Sequence, residues 1–489
     1  MAKFGGRYLK GMEERAYQAR IASTAIGKNT LVCLPTGMGK TNIAIIVSAS
    51  RLEKYPDSQI LVLAPTKPLV SQHFSSFKRF LDLNEANFQA ITGSLNPGKR
   101  KGLYSKKLIF ATPQTVQKDL ENEAIGLGNF SLLVIDELHH AVGRYAYPYI
   151  AKRFLKESKN PRILGLTASP GSSPAKIRSI CRNTGIETVE IATEKDEDVR
   201  PYIKPTEIEF FEVALPESFL KIRALLDSAY KKRLKRLRGV KTKKGLLDLQ
   251  RSLQKSIEAG NKSAYGLASL VAQAIKIEHA LTLLETQGIS ILRSYLANLR
   301  KDPSKAARSI LNDRDFSNAL FLIESLFEQG SRHPKIAKLC SLVESQLNSP
   351  GSKIIIFANY RETVKEIKVI LANIPAARPT ILIGQRDLSQ KEQLQIIRDF
   401  EADANVLVTT SIGEEGLSLE SADLAIFYEP VPSEIRQIQR RGRVGRTKFG
   451  KVAILVTKGT RDEAYKWSAY HKEQRMKKTL YSMKQSALI

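Results

Sequence analysis

One stretch constrains this chain more than any other: Cys33-Leu34-Pro35-Thr36-Gly37-Met38-Gly39-Lys40-Thr41. An apolar run from Thr30 leads into it, and an apolar helical run, Ile43 to Val47, leads out. Strand, tight loop, helix is the context a phosphate-cradling loop requires. Gly37 and Gly39 allow torsions and a close approach that a Cβ would block. N–H groups of the loop, Thr36 included, and the helix N-terminus can point at phosphate oxygens. Lys40 suits the β- and γ-phosphates, and Thr41 suits Mg²⁺. An ordinary glycine turn before a helix is the plainer alternative, and the motifs downstream remove it.

The chain has 489 residues, room for roughly three domains. Its net charge of +28 attracts a polyanion, and nucleic acid is the usual one. A membrane surface is the weaker alternative, because no basic amphipathic anchor stands out, and no apolar run approaches the ~20 residues a bilayer needs, so no membrane partner is expected. Met1 to Lys10 lack the apolar core of a signal peptide. Three distant cysteines, Cys33, Cys181 and Cys340, offer neither a disulfide framework nor a four-cysteine zinc site. Free thiols in a reducing cytoplasm are the expectation.

Residues 14–25 read as a helix carrying Arg15 and Gln18. A carboxamide both donates and accepts, which suits Gln18 to the adenine edge. Ile60 to Ala64 is a buried strand ending in Pro65-Thr66-Lys67-Pro68, with Gln72 and His73 on the helix beyond. Ile91-Thr92-Gly93 follows, and Leu108 to Ala111 ends in Thr112-Pro113. Loops at strand C-termini are where open α/β sheets bind ligands. Small hydroxyls and backbone N–H groups suit sugar-phosphate contacts without base reading.

Leu132 to Ile135 runs into Asp136-Glu137-Leu138-His139-His140. Asp136 suits the Mg²⁺ shell, and Glu137 suits orienting and deprotonating a water. His139 is expected to couple this site to a neighbouring domain. After the strand Ile163 to Leu166, the hydroxyls of Thr167 and Ser169 are expected to relay the phosphate state.

The order of these blocks resembles superfamily 2 helicases and translocases of the DExH type. The resemblance implies an α/β fold of two RecA-like parallel-sheet domains, with ATP and nucleic acid bound at their cleft. Leu34 stands where other phosphate loops have their first Gly, which matches the Pro-Thr-Gly-x-Gly-Lys-Thr form of helicase-type motors. Leu138 stands where the family commonly has Ala, so a packing adjustment is expected.

From 206 to about 330 strand signals stop and helical periodicity takes over, as in Phe219, Ile222, Leu225, Leu226 and Tyr230. This reads as an all-helical domain inserted between the two sheets. Lys231-Lys232-Arg233-Leu234-Lys235-Arg236 starts a dense basic run. Adjacent cations repel, and an anion removes the penalty. Lys232, Arg233, Lys235 and Arg236 are therefore expected to face outward onto phosphates. A basic helical insertion here resembles archaeal Hef and the Fanconi-anaemia M-type translocases, where it implies a clamp on the duplex.

The last third returns to strands. Val406 to Val408 leads into Thr409-Thr410-Ser411, which match the family's nucleic-acid contacts, and Gly416 lets the backbone turn beside ATP. Gln437-Ile438-Gln439-Arg440-Arg441-Gly442-Arg443-Val444-Gly445-Arg446 is the second decisive stretch. Arg443 and Arg446 lie three apart on one helical face and suit phosphate oxygens. Gln437 is expected to position water or the γ-phosphate.

The expected domains are 1–205 for the ATP-binding sheet, 206–332 for the basic insertion, 333–465 for the second sheet and 466–489 for a basic helical tail. The expected function is an ATP-dependent DNA helicase or translocase on branched or forked DNA, with ATP and Mg²⁺ as cofactors. An ATPase stimulated by double-stranded RNA is the alternative. A separate XPF-like nuclease or a sliding clamp is the expected protein partner, and a prokaryotic cytoplasm at the nucleoid the expected location.

Overall fold

Short runs buried on both faces dictate the two sheets. The computed structural model describes residues 7–13, 15–193, 196–202, 206–237, 240, 242–384, 389–410, 422–431, 433 and 450–485. Its strands are β1 Thr30–Cys33, β2 Gln59–Leu63, β3 Phe88–Ile91, β4 Leu108–Ala111, β5 Phe130–Ile135, β6 Ile163–Thr167, β7 Thr188–Ile191, β8 Thr206–Val213, β9 Ile354–Phe357, β10 Pro379–Leu382, β11 Val406–Thr409, β12 Leu424–Phe427 and β13 Gly450–Thr457. β1, β4, β5, β6, β9, β11 and β12 are buried along their whole length. Strands that apolar on both faces belong in parallel sheets covered by helices. Every described pairing within the two sheets is parallel.

The first sheet has the order β3-β4-β2-β5-β6-β1-β7 and the second β10-β11-β9-β12-β13-β8. Helices α1 Ala16–Gly27, α2 Lys40–Lys54, α3 Lys67–Phe80, α4 Pro97–Leu103, α5 Pro113–Glu121, α6 Ala146–Glu157 and α7 Pro174–Thr184 belong to the first sheet. Proline within the first helical turn, as at Pro68, Pro97, Pro113 and Pro174, starts several of them where its missing N–H costs nothing. The inserted bundle is α8 Glu217–Arg236, α9 Lys243–Glu258, α10 Ala264–Thr286, α11 Ile289–Lys301, α12 Lys305–Leu311 and α13 Arg314–Glu328. Its core joins Phe219, Ile222 and Leu226 to Ile277, Leu281, Leu284 and Phe316. α14 Pro334–Leu347, α15 Arg361–Leu371 and α16 Gln390–Ala402 cover the second sheet, and α17 Arg461–Gln485 closes the described chain.

Two boundaries differ from the sequence reading. Residues 206–213, expected in the helical insertion, form β8, paired with β13 along its full length. Glu alternates there with Ile and Phe, and such an edge strand lacks the continuous apolar run of its neighbours. The expected separate tail from 466 is part of one helix that starts at Arg461.

α17 ties three bodies together. At its start Arg461 meets Glu278 (3.2 Å) and Glu285 (2.8 Å) of α10, and Asp462 meets Lys335 of α14 at 2.5 Å with both side chains fully buried. At its far end Met476, Leu480 and Met483 enter the core of the first domain. α10 is long and apolar enough to cross a membrane by length and composition, contrary to the sequence reading. It packs inside the bundle, and its Glu278 and Glu285 are buried in those ion pairs.

Candidate active site and nucleic-acid interface

Sheet order sorts the loops of the first domain. β5, β6 and β1 are neighbours, and so are β3, β4 and β2. The phosphate loop, the acidic pair and the Thr167–Ser169 segment therefore share one half of the sheet edge. The segments after β2, β3 and β4 share the other half.

In the phosphate loop, Gly37 has φ +85° and Gly39 φ +71°, torsions L side chains rarely adopt. A Cβ on Gly39 would sit 2.3 Å from Gln18 Nε2, so α1 lies directly on the loop. Tyr17 OH donates to Met38 O at 2.8 Å, and Gln18 Nε2 lies 3.4 Å from the same oxygen. That leaves Gln18 Oε1 buried with no partner, an acceptor to match an adenine amine. Arg15 lies with its guanidinium 4.7 Å from the Tyr202 ring centroid. Thr36 Oγ1 is likewise buried and unpartnered. Lys40 folds its ammonium toward Leu34 O (3.1 Å) and Pro35 O (3.4 Å). A polyphosphate would give the Thr36 hydroxyl and the Lys40 ammonium better partners than the chain supplies, and an adenine amine would satisfy Gln18 Oε1.

Asp136 is 6% exposed. Burial pushes its carboxyl up, but His73, Lys40 and the Glu137 N–H outweigh that and hold it below the ordinary aspartate range. Asp136 thus stays anionic. One carboxylate plus the Thr41 hydroxyl is a donor set suited to Mg²⁺, which takes few protein oxygens and the substrate's phosphates. Among the described residues no three His, Cys, Asp or Glu side chains gather to hold a metal by themselves.

Glu137 sits at φ 48°, ψ 50°, a left-handed conformation costing a non-glycine residue about 1 kcal/mol or more. Its N–H donates to Asp136 Oδ1 at 3.0 Å, and its Oε2 is 3.1 Å from His139 Nδ1. His139 Nδ1 is also 3.1 Å from Thr167 Oγ1, which accepts from Ser169 N at 3.1 Å. Ser169 Oγ reaches Met476 Sδ at 2.8 Å. The residues expected to couple, His139, Thr167 and Ser169, therefore form a hydrogen-bonded chain to α17, and Glu137 Oε2, buried without a hydrogen-bond partner of its own, lies against its His139 end. The adjustment for Leu138 is Gly165, where a Cβ would fall 2.3 Å from Leu138 Cδ2.

On the other half, Pro65 and Thr66 are half-buried, and Thr66 Oγ1 caps α3 by accepting from Leu69 N. Thr92 is half-buried, and Gly93 is exposed beside it. Thr112 and Pro113 correct the expectation. Both are buried, Thr112 Oγ1 bonds Thr115 Oγ1 at 2.8 Å, and Gln114 is the exposed side chain there. Thr409 is a second correction: it is fully buried and donates to Leu382 O at 2.9 Å. Thr410 beside it is 8% exposed. Gly416, Gln437, Arg443 and Arg446 lie outside the described residues.

The basic run of α8 is a third correction. Arg233 does not face outward. It is 7% exposed and bonds Asp313 Oδ2, Ala229 O and Gln273 Oε1, holding α8, α10 and α13 together. Lys232 reaches Asp315 at 2.8 Å, and Lys231 pairs with Asp227. The neutralising acids come mostly from another helix, which the local sequence does not reveal. Lys235 and Arg236 stay exposed without an ion pair among the described residues.

Sequence reasoning gave no role to His73. It projects from α3, 4% exposed, and its Nε2 is 2.8 Å from Asp136 Oδ2. It adds a side-chain bond from Asp136 to α3 beside the β2–β5 pairing at which the two halves of the sheet meet.

Residues 15–177 match the family described as DEAD/DEAH box helicase, and residues 334–448 the helicase conserved C-terminal domain. Residues 218–329 match a helical bundle of ATP-dependent RNA helicases. A crystal structure of the Pyrococcus furiosus Hef helicase domain superposes with a TM-score of 0.70 at 43% identity, covering 93% of this chain and 98% of that one. The chain belongs to the superfamily 2 helicases, in the group of Hef and the Fanconi-anaemia M translocases.

Among curated relatives of this helicase, a Methanocaldococcus jannaschii protein, an ATP-dependent RNA helicase by name, is 42% identical over 97% of this chain and 61% of its own length. The Drosophila melanogaster ATP-dependent DNA helicase Fancm is 33% identical over 97% of this chain and 35% of its own. The helicase thus spans about three-fifths and one-third of these relatives.

Proposed function

We propose that this ATP-dependent helicase is a DNA motor acting on branched or forked DNA in replication-fork repair and recombination. The observation that carries the reading is the sorting of loops along one sheet edge, with nucleotide chemistry on β1, β5 and β6 beside backbone-reading segments on β2 and β3. Likeness to the Hef helicase domain and to a DNA helicase named Fancm supports DNA as the track.

Lys40 would hold the β- and γ-phosphates, and Thr41 and Asp136 would hold Mg²⁺, which neutralises phosphate charge when bound. Glu137 orients and deprotonates the attacking water through a carboxylate already turned toward His139. Gln437, Arg443 and Arg446 would supply the remaining groups of the reaction, and such arginines are worth about 10³–10⁵ in rate. His139, Thr167 and Ser169 pass the phosphate state to α17. Alternating grips at Pro65, Thr66, Thr92 and Gly93 and on the second domain move the motor, while Lys235 and Arg236 keep the bundle on the duplex. A separate nuclease or a sliding clamp is the matching protein partner.

The name of the Methanocaldococcus jannaschii relative favours a second reading, an ATPase stimulated by double-stranded RNA. Hydrolysis and unwinding measured on forks, four-way junctions, linear duplex and RNA duplex decide between them. The DNA reading expects the largest stimulation on forks and junctions. Equal or greater stimulation by RNA duplex overturns it.

A further inference from the structure

α17 carries aromatic side chains for which the motor has no use. Folding places Trp467, Tyr470 and His471 on one face. Ala469, Met476, Leu480 and Met483 point inward and are buried. Trp467, Tyr470, His471, Gln474, Arg475 and Lys478 are all exposed. Their spacing of three and four makes a single stripe along the helix.

The upper half of the stripe is aromatic. Trp467 is 56% and Tyr470 52% exposed. Trp467 stacks with His471 at a centroid distance of 6.2 Å, and Tyr470 meets His471 edge-on at 5.6 Å. Open rings grouped in this way mark an interaction surface. The lower half is cationic. Arg475 and Lys478 have no ion pair among the described residues. The nearest acid in sequence, Glu473, is buried off the stripe and held by Lys477 at 3.0 Å. Lys466, beside Trp467, is already paired with Glu212.

We infer that this stripe is a second nucleic-acid site, one that takes a single strand. Bases stack on Trp467 and Tyr470, and phosphates lie on Arg475 and Lys478. Stacking tolerates any sequence because every base has a π-face, and adjacent cations hold the backbone. A protein partner would want the rings to continue into aliphatic residues, and here they give way to unpaired positive charge. From Trp467 to Lys478 is roughly 16 Å of helix, enough for a few nucleotides.

Position separates this site from the track. The far end of α17 packs against β7 and its start against β13 of the second sheet, and β7 and β3 are opposite edges of the first sheet. A strand held on α17 is therefore not the one lying across β2 and β3. In a helicase it is the strand displaced by unwinding, but the binding itself does not depend on that reading.

Trp467 is the single tryptophan of the chain, so its fluorescence reports this face alone. The intact chain is titrated with oligo-dT and with an abasic oligodeoxynucleotide of equal length, without nucleotide. Oligo-dT should quench Trp467 saturably and the abasic strand should not. R475E/K478E should weaken the quenching affinity about tenfold or more and lower its log–log salt slope by roughly 1.4, at about 0.7 per lost contact. Its melting temperature and unstimulated ATP hydrolysis should equal those of the wild type. Equal quenching by the abasic strand would overturn the inference. So would absence of quenching, an unchanged titration in R475E/K478E, or a Trp467 response seen only when another protein is added. DNA-stimulated hydrolysis is read in parallel, so loss of this site and loss of the motor reading remain distinguishable.

Discussion

The two halves of the first sheet edge solve different problems with different side chains. Around β1, β5 and β6 the functional groups are carboxylates, imidazole and hydroxyl, mostly buried and packed within 3.1 Å of one another from Glu137 through His139 to Thr167. After β2 and β3 they are small, partly exposed and mostly hydroxyl or glycine, as at Thr66, Thr92 and Gly93. Chemistry at a phosphate needs groups fixed before the substrate arrives. Holding a track that must slide needs many weak contacts that let go. The contrast teaches that stiffness is concentrated on the nucleotide half, and that a His73–Asp136 hydrogen bond joins it to the helix behind the first track segment.

The sharpest way to break the contrast is at Glu137. Glu137→Gln should cut hydrolysis about 10²- to 10⁴-fold while ATP and nucleic acid still bind. Undiminished turnover in a steady-state assay would remove Glu137 from the base role. Next comes the fit beneath the acidic pair. Gly165→Ala should destabilise the first domain by about 1–3 kcal/mol through overpacking on Leu138. Adding Leu138→Ala should return most of the melting temperature, and no recovery would mean the two do not share that space.

Loss on the binding side should look different. Lys235→Glu with Arg236→Glu should leave stability intact and lower the log–log salt slope of duplex binding by roughly 1.8, at about 0.9 per contact. Arg233→Ala should instead destabilise the bundle by taking from the buried Asp313 its nearest cation, with no comparable change in slope. Burial pushes the Asp313 carboxyl up, but Arg233 and the N–H of Phe316 outweigh that and hold it below the ordinary range. Its stabilising share is therefore present above the unfolded aspartate pKa and lost as pH falls through the lower folded one. A bundle equally stable at pH 7 and at strongly acid pH would contradict this. The smallest effect is expected at Thr92→Ala, a few-fold in nucleic-acid affinity with unstimulated hydrolysis unchanged. A large loss there would mean the track is gripped by a few strong contacts after all.

Much of this was legible in the chain. The phosphate loop and Leu132 to Asp136 announce themselves because their meaning is local: an apolar strand, then the residues its end must present. Features made by distant partners were not. Arg233 reads as one more outward cation until Asp313, 80 residues on, takes it inside. β8 reads as no strand because its partner, β13, comes more than two hundred residues later. His73 meets Asp136 across 63 residues, and no spacing signals it. Thr409 keeps its motif spelling, yet its hydroxyl turns back to Leu382.

The most direct test of a stiff nucleotide half joined to a loose track half through His73 is a linkage measurement. Affinity for a fluorescent, non-hydrolysable ATP analogue is measured with and without saturating forked DNA, in the wild type and in His73→Gln. The account predicts that DNA tightens nucleotide binding in the wild type and that this effect shrinks about tenfold in His73→Gln, with DNA affinity in the absence of nucleotide preserved. Full coupling in His73→Gln, at equal DNA affinity, would contradict it.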